Sequence, residues 1–222
     1  MANKESISTD VKASYWQSYY AQQKPARIPL PSQFSVFIAG ELQEPHRVFD
    51  VGCGGGRDSL FFASHGHAVT GIDGSQAAIT ACEDSAAKAG INASFVCSPI
   101  TTTHLASRFE LHASVPTLVY ARFFLHAITE SEEDSFFELA RDLTAGGGIV
   151  AVEFRTMRDS EQEKVTATHY RRFIEPLQFM GRASAAGFNA QYFVEGFGFA
   201  KYKKDDAHVA RFIFDRDATD GR

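Results

Sequence analysis

The residues of this 222-residue chain best suited to chemistry cluster in one loop, "FDVGCGGGRDS" at 49–59, where four of eleven residues are glycine. Glycine lets a backbone turn left-handed or lie directly against a ligand, and it costs chain entropy, so such a cluster marks a binding loop. Two phosphate-bearing ligands fit poorly. A GxxxxGK[ST] loop needs its lysine to reach the phosphates, and Gly56 is instead followed by Arg57 and Asp58. A GxGxxG dinucleotide loop needs a third glycine three residues after Gly54. That position is Arg57, and Asp50 would set negative charge beside the pyrophosphate.

A ligand without phosphate fits better. S-adenosylmethionine carries a cationic amino group, a sulfonium, a carboxylate and a ribose. Asp50 suits the cationic end, and Gly52, Gly54 and Gly56 let the backbone lie along the methionine portion. The helix that opens near Arg57 turns amide donors toward the carboxylate. Asp73, in "GIDGS", can accept from both ribose hydroxyls. On these residues, "VFDVGCGGGRDSLFFASHGHAVTGIDGS" resembles the nucleotide-binding half of the Rossmann-like (class I) S-adenosylmethionine-dependent methyltransferases. The D-x-G-x-G-x-G form is Asp50, Gly52, Gly54 and Gly56, and Asp73 is the acid ending the second strand. The resemblance implies cofactor contacts from Asp50, Gly52, Cys53, Gly54, Gly56, Arg57, Asp73 and Gly74, with S-adenosylhomocysteine as product. Many such enzymes place an acid near the end of the third strand to meet the adenine amino group. Here that stretch is "FVCSPI", which leaves Ser98 for the role.

Methyl transfer is an in-line displacement, so positioning and sulfonium electrostatics carry much of the rate. Four segments are candidates for the acceptor side. In "YARFFLHAI", Tyr120 and Arg122 are expected to line the cofactor site, and His126 to act as a base or orient the acceptor. A base helps where the acceptor is a hydroxyl of high pKa. In "THYRRFIEP", His169 is the second base candidate, and Tyr170, Arg171 and Arg172 suit a carboxylate or phosphate. In "VEFRT", Glu153 and Arg155 lie at the carboxyl end of a strand, where open α/β sheets put their sites. In "YWQSYY", Tyr15, Trp16, Tyr19 or Tyr20 could shield a sulfonium by cation–π contact, and Tyr19 could also reach the acceptor. Each has a plainer reading: a hydrogen-bonded core histidine, solvated or mutually paired charges, and packed rings. "YARFFLHAI", "HYRRFI" and "PSQF" together also resemble a narrower bacterial group of methyltransferases encoded near surface-polysaccharide biosynthesis genes. That implies O-methylation of a sugar or phosphate group on a glycan or nucleotide-sugar precursor. N- or S-methylation of another small metabolite, and a cofactor-binding regulatory protein without turnover, stay open beside it.

The elements needed to position these residues are legible. "RVFDVG", "AVTGID", "ASFVCS", "TLVYARF" and "GIVAVEF" read as buried strands. Helices fall between them at "RDSLFFASHG", stopped by Gly66, at "SQAAITACEDSAAKAG", capped by Ser75 and Gly90, and at "SEEDSFFELARDLTAGGG". The last of these is expected to open on a capping box of Ser131 and Asp134 and to end at Gly146 to Gly148. "ASYWQSYYAQQ" and "PSQFSVFIAGEL" predict two earlier helices, with residues 1 to about 12 frayed, and "MGRASAAG" predicts a late one. "AQYFVEGFGF" and "HVARFIFDR" have no helix between them, so they should pair antiparallel. The fold class is α/β: a Rossmann-like, seven-stranded, mostly parallel sheet with helices on both faces and an antiparallel last hairpin. One domain is expected, with 1–45 as a helical cap, 46–154 as the cofactor-binding half, 155–178 as a substrate-side insertion and 179–215 as the closing helix and hairpin.

Bulk properties bound the partners. A net charge of −5 gives no basic footprint for nucleic acid, and the (D/N)PP(Y/F) motif of many amino-methylating enzymes is absent. Three cysteines without CxxC spacing argue against a disulfide framework and against zinc, and no metal is expected. No signal peptide or membrane-spanning run is visible. The expectation is a cytoplasmic monomer or homodimer acting on a small, anionic or neutral molecule.

Overall fold

The computed structural model describes residues 9–22, 30–111, 115–162, 170–202 and 205–216. Seven strands form one sheet: β1 (Arg47–Val51), β2 (Ala68–Asp73), β3 (Ser94–Cys97), β4 (Thr117–Arg122), β5 (Gly148–Arg155), β6 (Asn189–Tyr202) and β7 (Asp205–Arg216). Their order is β3-β2-β1-β4-β5-β7-β6. The first five are parallel, and β7 runs antiparallel to both β5 and β6. The order reverses between β1 and β4, so the crevice at their carboxyl ends is the topological switch point, where such sheets bind ligands.

Among the described residues, six α-helices accompany the sheet: α1 (Thr9–Ala21), α2 (Gln33–Glu41), α3 (Arg57–Ser64), α4 (Gln76–Ala89), α5 (Glu130–Leu143) and α6 (Pro176–Ala185). Local chemistry fixes their ends. Ser75 Oγ accepts from the Ala78 N–H to open α4, and Gly90, at φ 64°, closes it left-handed. Ser32 does the same for α2 through the Ser35 N–H.

Alternation along the strands sorts the core into two layers. Phe49, Val119, Val152, Phe154 and Phe212 pack with Phe136 and Phe179 from α5 and α6. Val48, Leu118, Tyr120 and Ala151 face the other way, onto Phe34 of α2 and Phe62 of α3. Burying each such ring contributes roughly 1.5–3 kcal/mol, which is why so phenylalanine-rich a chain can close two layers.

Four expectations need correction. The capping box of α5 is Thr129 with Glu132, not Ser131 with Asp134: Thr129 Oγ1 accepts from the Glu132 N–H, and the Glu132 carboxylate accepts from the Thr129 N–H. Asp134 is instead on the outer face, paired with Arg182. The same helix stops at Leu143, before the glycines, because Thr144 turns its hydroxyl back to the Ala140 carbonyl. α6 begins four residues before Met180, at Pro176, whose missing N–H suits a first turn. α1 reaches back to Thr9 because Lys12, expected to fray, is buried and ion-paired. Among the described residues, no helix is long and apolar enough to cross a membrane.

Candidate cofactor and acceptor site

The glycine loop after β1 is held from below. Gly52 and Cys53 N–H both donate to the Ile72 carbonyl, at 2.8 and 3.1 Å. The Gly54 N–H donates to Asp73 Oδ2 and the Ser75 N–H to Asp73 Oδ1, each at 2.9 Å. Asp73 therefore ties the loop to the start of α4. Burial pushes its carboxyl up, against the two amide bonds that stabilise the charge. It has lone pairs left for further donors, as ribose hydroxyls would be. Gly52, Gly54 and Gly56 are all left-handed, at φ 73°, 54° and 74°. They are also close-packed: a Cβ at Gly52 would collide with the Phe124 ring, at Gly54 with the Tyr20 hydroxyl, and at Gly56 with Cys82 Sγ.

A cavity of about 200 Å³ lies over this loop. Gly52, Asp73, Gly74 and Ser75 form one wall, and Pro99, Ile100 and Thr101 the next. Phe123, Phe124, Ala127 and Ile128, following β4, form the third. Trp16 and Tyr20 of α1 roof it. The roof is pinned at both ends. Lys12 Nζ lies 2.5 Å from Glu132, the capping residue of α5, and stands 5.3 Å over the Tyr170 ring. Gln17 Oε1 accepts from Ser75 Oγ and the Ala77 N–H, at 3.0 and 3.1 Å. Burial, with Asp73 and Cys53 nearby, raises the Tyr20 phenol well above its ordinary value. It therefore stays protonated and is able to donate as well as stack.

The structure sorts the other expected residues. Gly52, Asp73 and Gly74 are in the cavity wall. Asp50, Cys53, Gly56 and Arg57 lie behind it. Asp50 accepts from Ser59 Oγ at 2.5 Å, and burial raises its carboxyl to about 7. Cys53 packs against Cys82, and Arg57 Nε lies 3.2 Å from Asp58. Ser98 is turned away: its hydroxyl donates to Thr102 Oγ1 at 2.9 Å, and its neighbours Pro99 to Thr101 take the wall. Tyr120 is a correction. It points to the opposite face of the sheet, fully buried, and donates to Asp58 Oδ2 at 2.9 Å. Arg122 shares that face, beside Glu153.

On the acceptor side, His126 is buried behind Phe123, and its Nδ1 accepts from the Arg155 N–H at 3.3 Å. That bond leaves the ring's other nitrogen carrying the proton in the neutral form. His169 lies outside the described residues. Tyr19, exposed, sits in the ring cluster of α1. Arg155 pairs with Asp159 and Asp205 at 2.7 and 2.6 Å. Arg172 is bound to Glu133 and its N–H to the His126 carbonyl, so it anchors the segment before α6 to α5. Arg171 is half-buried among Arg155, Tyr15, Asp159 and Asp205, and burial with the Arg155 charge lowers its pKa. Glu153 is fully buried between Arg122 and Arg211.

Sequence reasoning missed Lys12, Gln17, Phe123, Phe124, Glu132 and the segment Pro99 to Thr101. Only Glu132 left a signal, in the T-x-x-E spacing from Thr129.

Comparison with known proteins agrees with this geometry. Residues 48–148 match the methyltransferase domain family. The ubiquinone biosynthesis O-methyltransferase of Coxiella burnetii is 31% identical over 100 residues, covering 45% of this chain and 43% of that enzyme. The chain thus matches less than half the length of that curated relative. A segment of 50 residues, 22% of this chain and 15% of the relative, is 44% identical to the ribosomal RNA small subunit methyltransferase C of Alcanivorax borkumensis. Among solved structures, an S-adenosylmethionine-dependent methyltransferase from Methanosarcina mazei has a TM-score of 0.64 at 18% identity, covering 81% of this chain and 96% of that one. The methyltransferase from Aquifex aeolicus gives 0.64 at 16%, covering 91% and 97%. Those two likenesses speak to the fold, and the match across the glycine loop speaks to the sequence. Together they identify residues 48–148 as a methyltransferase domain on a Rossmann-like fold, and they indicate S-adenosylmethionine as the cofactor.

Proposed function

We propose that the protein methylates an oxygen of a small molecule, of the kind presented by a sugar or phosphate group on a glycan or nucleotide-sugar precursor. The observation that carries the small-molecule reading is the roof. α1 crosses the cavity and is pinned to α4 and α5, which favours a compact acceptor. When bound, the cofactor supplies a methyl group on a sulfonium. The chain's part is to bind and to exclude water: Asp73 would take the ribose, the glycine loop would hold the methionine portion, and Trp16, Tyr20 and Phe124 line the apolar wall.

Proton removal favours an acceptor that is already ionised. Among the described cavity residues, Asp73 accepts two amides, Glu132 is held by Lys12 and Thr129, and Tyr20 keeps its proton. His126 offers a donor rather than an acceptor. A phosphate oxygen needs no base at neutral pH, whereas a sugar hydroxyl does. The curated relative named for ubiquinone biosynthesis is an O-methyltransferase, which agrees with an oxygen acceptor.

The test is methyl transfer from labelled S-adenosylmethionine to a panel of sugar phosphates, free sugars, amines and thiols. Turnover on the oxygen acceptors supports the reading, and turnover on amines or thiols alone overturns it. As a control on the site, Asp73→Ala should weaken S-adenosylhomocysteine by roughly 1.5–3 kcal/mol for each charged hydrogen bond lost. Unchanged affinity would remove Asp73 from the cofactor site.

A further inference from the structure

Most arginines near the carboxyl ends of β4 and β5 are already neutralised. Arg155 has two carboxylates, and Arg172 and Arg182 share Glu133, with Glu130 and Asp134 beside Arg182. Arg122 is different. It ends β4, and only 15% of its side chain is exposed. Its Nε lies 2.7 Å from Glu153 Oε1, yet the two are misaligned, and neither buried atom has a hydrogen-bond partner. The other Glu153 oxygen is taken by Arg211 Nε at 2.7 Å. Two guanidinium groups thus share the Glu153 carboxylate directly. Asp58 is near and offsets part of the charge, but its oxygens accept from Ser32, Ser35, Arg57 and Tyr120, so it gives the Arg122 guanidinium no hydrogen bond. A buried charge without a full complement of partners is costly, and it is relieved by a ligand of opposite sign.

A second, independent observation lies beside it. Phe123, the next residue, has φ 56° although it is not glycine, a conformation that costs energy and that concentrates at functional sites. Its N–H is fixed to the Glu153 carbonyl at 2.8 Å. The turn sets its ring with the Arg122 guanidinium carbon 4.2 Å from its centre, while the same residue lines the cofactor cavity. Arg122 therefore packs on a ring that itself lines the cavity.

We infer that Arg122 is the specificity-determining residue for the acceptor and that its guanidinium takes a compact anionic oxygen group, a carboxylate or a phosphate, past the edge of Phe123. The inference rests on the methyltransferase reading above. It moves anion recognition from the 170–172 segment to the end of β4. Glu153 and Arg211 act as positioning residues, because they fix the guanidinium without reaching the acceptor.

The test is calorimetric titration of inorganic phosphate, and separately of benzoate, into protein saturated with S-adenosylhomocysteine. Binding of one or both is expected. Arg122→Met should weaken it by about ten- to a hundredfold while leaving S-adenosylhomocysteine affinity nearly unchanged, and Arg171→Met should not. Phosphate alone assigns phosphorylated acceptors, and benzoate alone assigns carboxylates. Either supports the inference. Absence of both anions from protein that binds S-adenosylhomocysteine overturns it, as does unchanged anion affinity in Arg122→Met. Should that variant not fold, the wild-type arginine Nε–H resonances decide. The signal missing from Arg122→Lys must move on adding the anion, and a stationary signal overturns the inference. Failure to bind S-adenosylhomocysteine at all would instead bring down the methyltransferase reading, and this inference with it.

Discussion

Asp50 shows how a residue can belong to a binding motif and act from behind it. Its carboxylate sits 2.5 Å from Ser59 Oγ, and burial raises its pKa to about 7, more than that bond lowers it. Below about pH 4 the group is protonated in both folded and unfolded chains. From there to about 7 the folded chain binds more protons, so stability from this group falls as pH rises through that window. Asp50→Asn should gain on the wild type between about pH 5 and pH 8, by at most about 4 kcal/mol for a shift near three units. Thermal melts of both proteins across that range measure it, and parallel curves would refute a buried, titrating Asp50. At this scale the sequence was partly legible. Gly52, Asp73 and Gly74 could be placed because their turns and register are dictated by local geometry. Tyr120 could not, because β4 is apolar on both faces and its pattern carries no sign of which residues face which layer. Ser98 failed for a different reason. One turn after β3, its hydroxyl finds Thr102 before it finds the cavity.

The element that matters most to the site is α1. Its helical nature and an expected place as a cap could be read from "ASYWQSYYAQQ", but its anchors could not. Its anchors are Lys12 to Glu132 and Gln17 to Ser75, contacts between residues 120 and 58 positions apart. Gln17→Ala removes two hydrogen bonds to the start of α4, worth about 1 kcal/mol each. Amide exchange across 9–21 should quicken, S-adenosylhomocysteine should bind more weakly, and the global melting temperature should hardly move. A large drop in melting temperature would make α1 part of the cooperative core instead. The start of α5 was within reach of sequence reasoning, since Thr129 and Glu132 stand at capping-box spacing. The charged run after them offered a second, false box.

At the scale of the whole molecule, the alternating pattern of strands and helices was enough to specify the sheet and its reversed last hairpin, because each strand is a distinct apolar run. What it could not specify is the charge threaded through that sheet. Glu153 joins β4 to β7 through Arg122 and Arg211, three residues distant in sequence and adjacent only after the sheet closes. Glu153→Gln leaves two buried guanidinium groups facing each other without a carboxylate, and it should cost roughly 3–5 kcal/mol. Urea denaturation at neutral pH tests this, and a loss under about 1 kcal/mol would mean that the network is hydrated and weak. The sheet's edges have their own consequence. Cys53 is half-buried and Cys82 fully buried under the glycine loop, whereas Cys97 ends the outermost strand, β3, in the open. In an air-oxidised preparation, two chains will link covalently through Cys97 first, so a doublet on a non-reducing gel would report storage chemistry rather than quaternary structure.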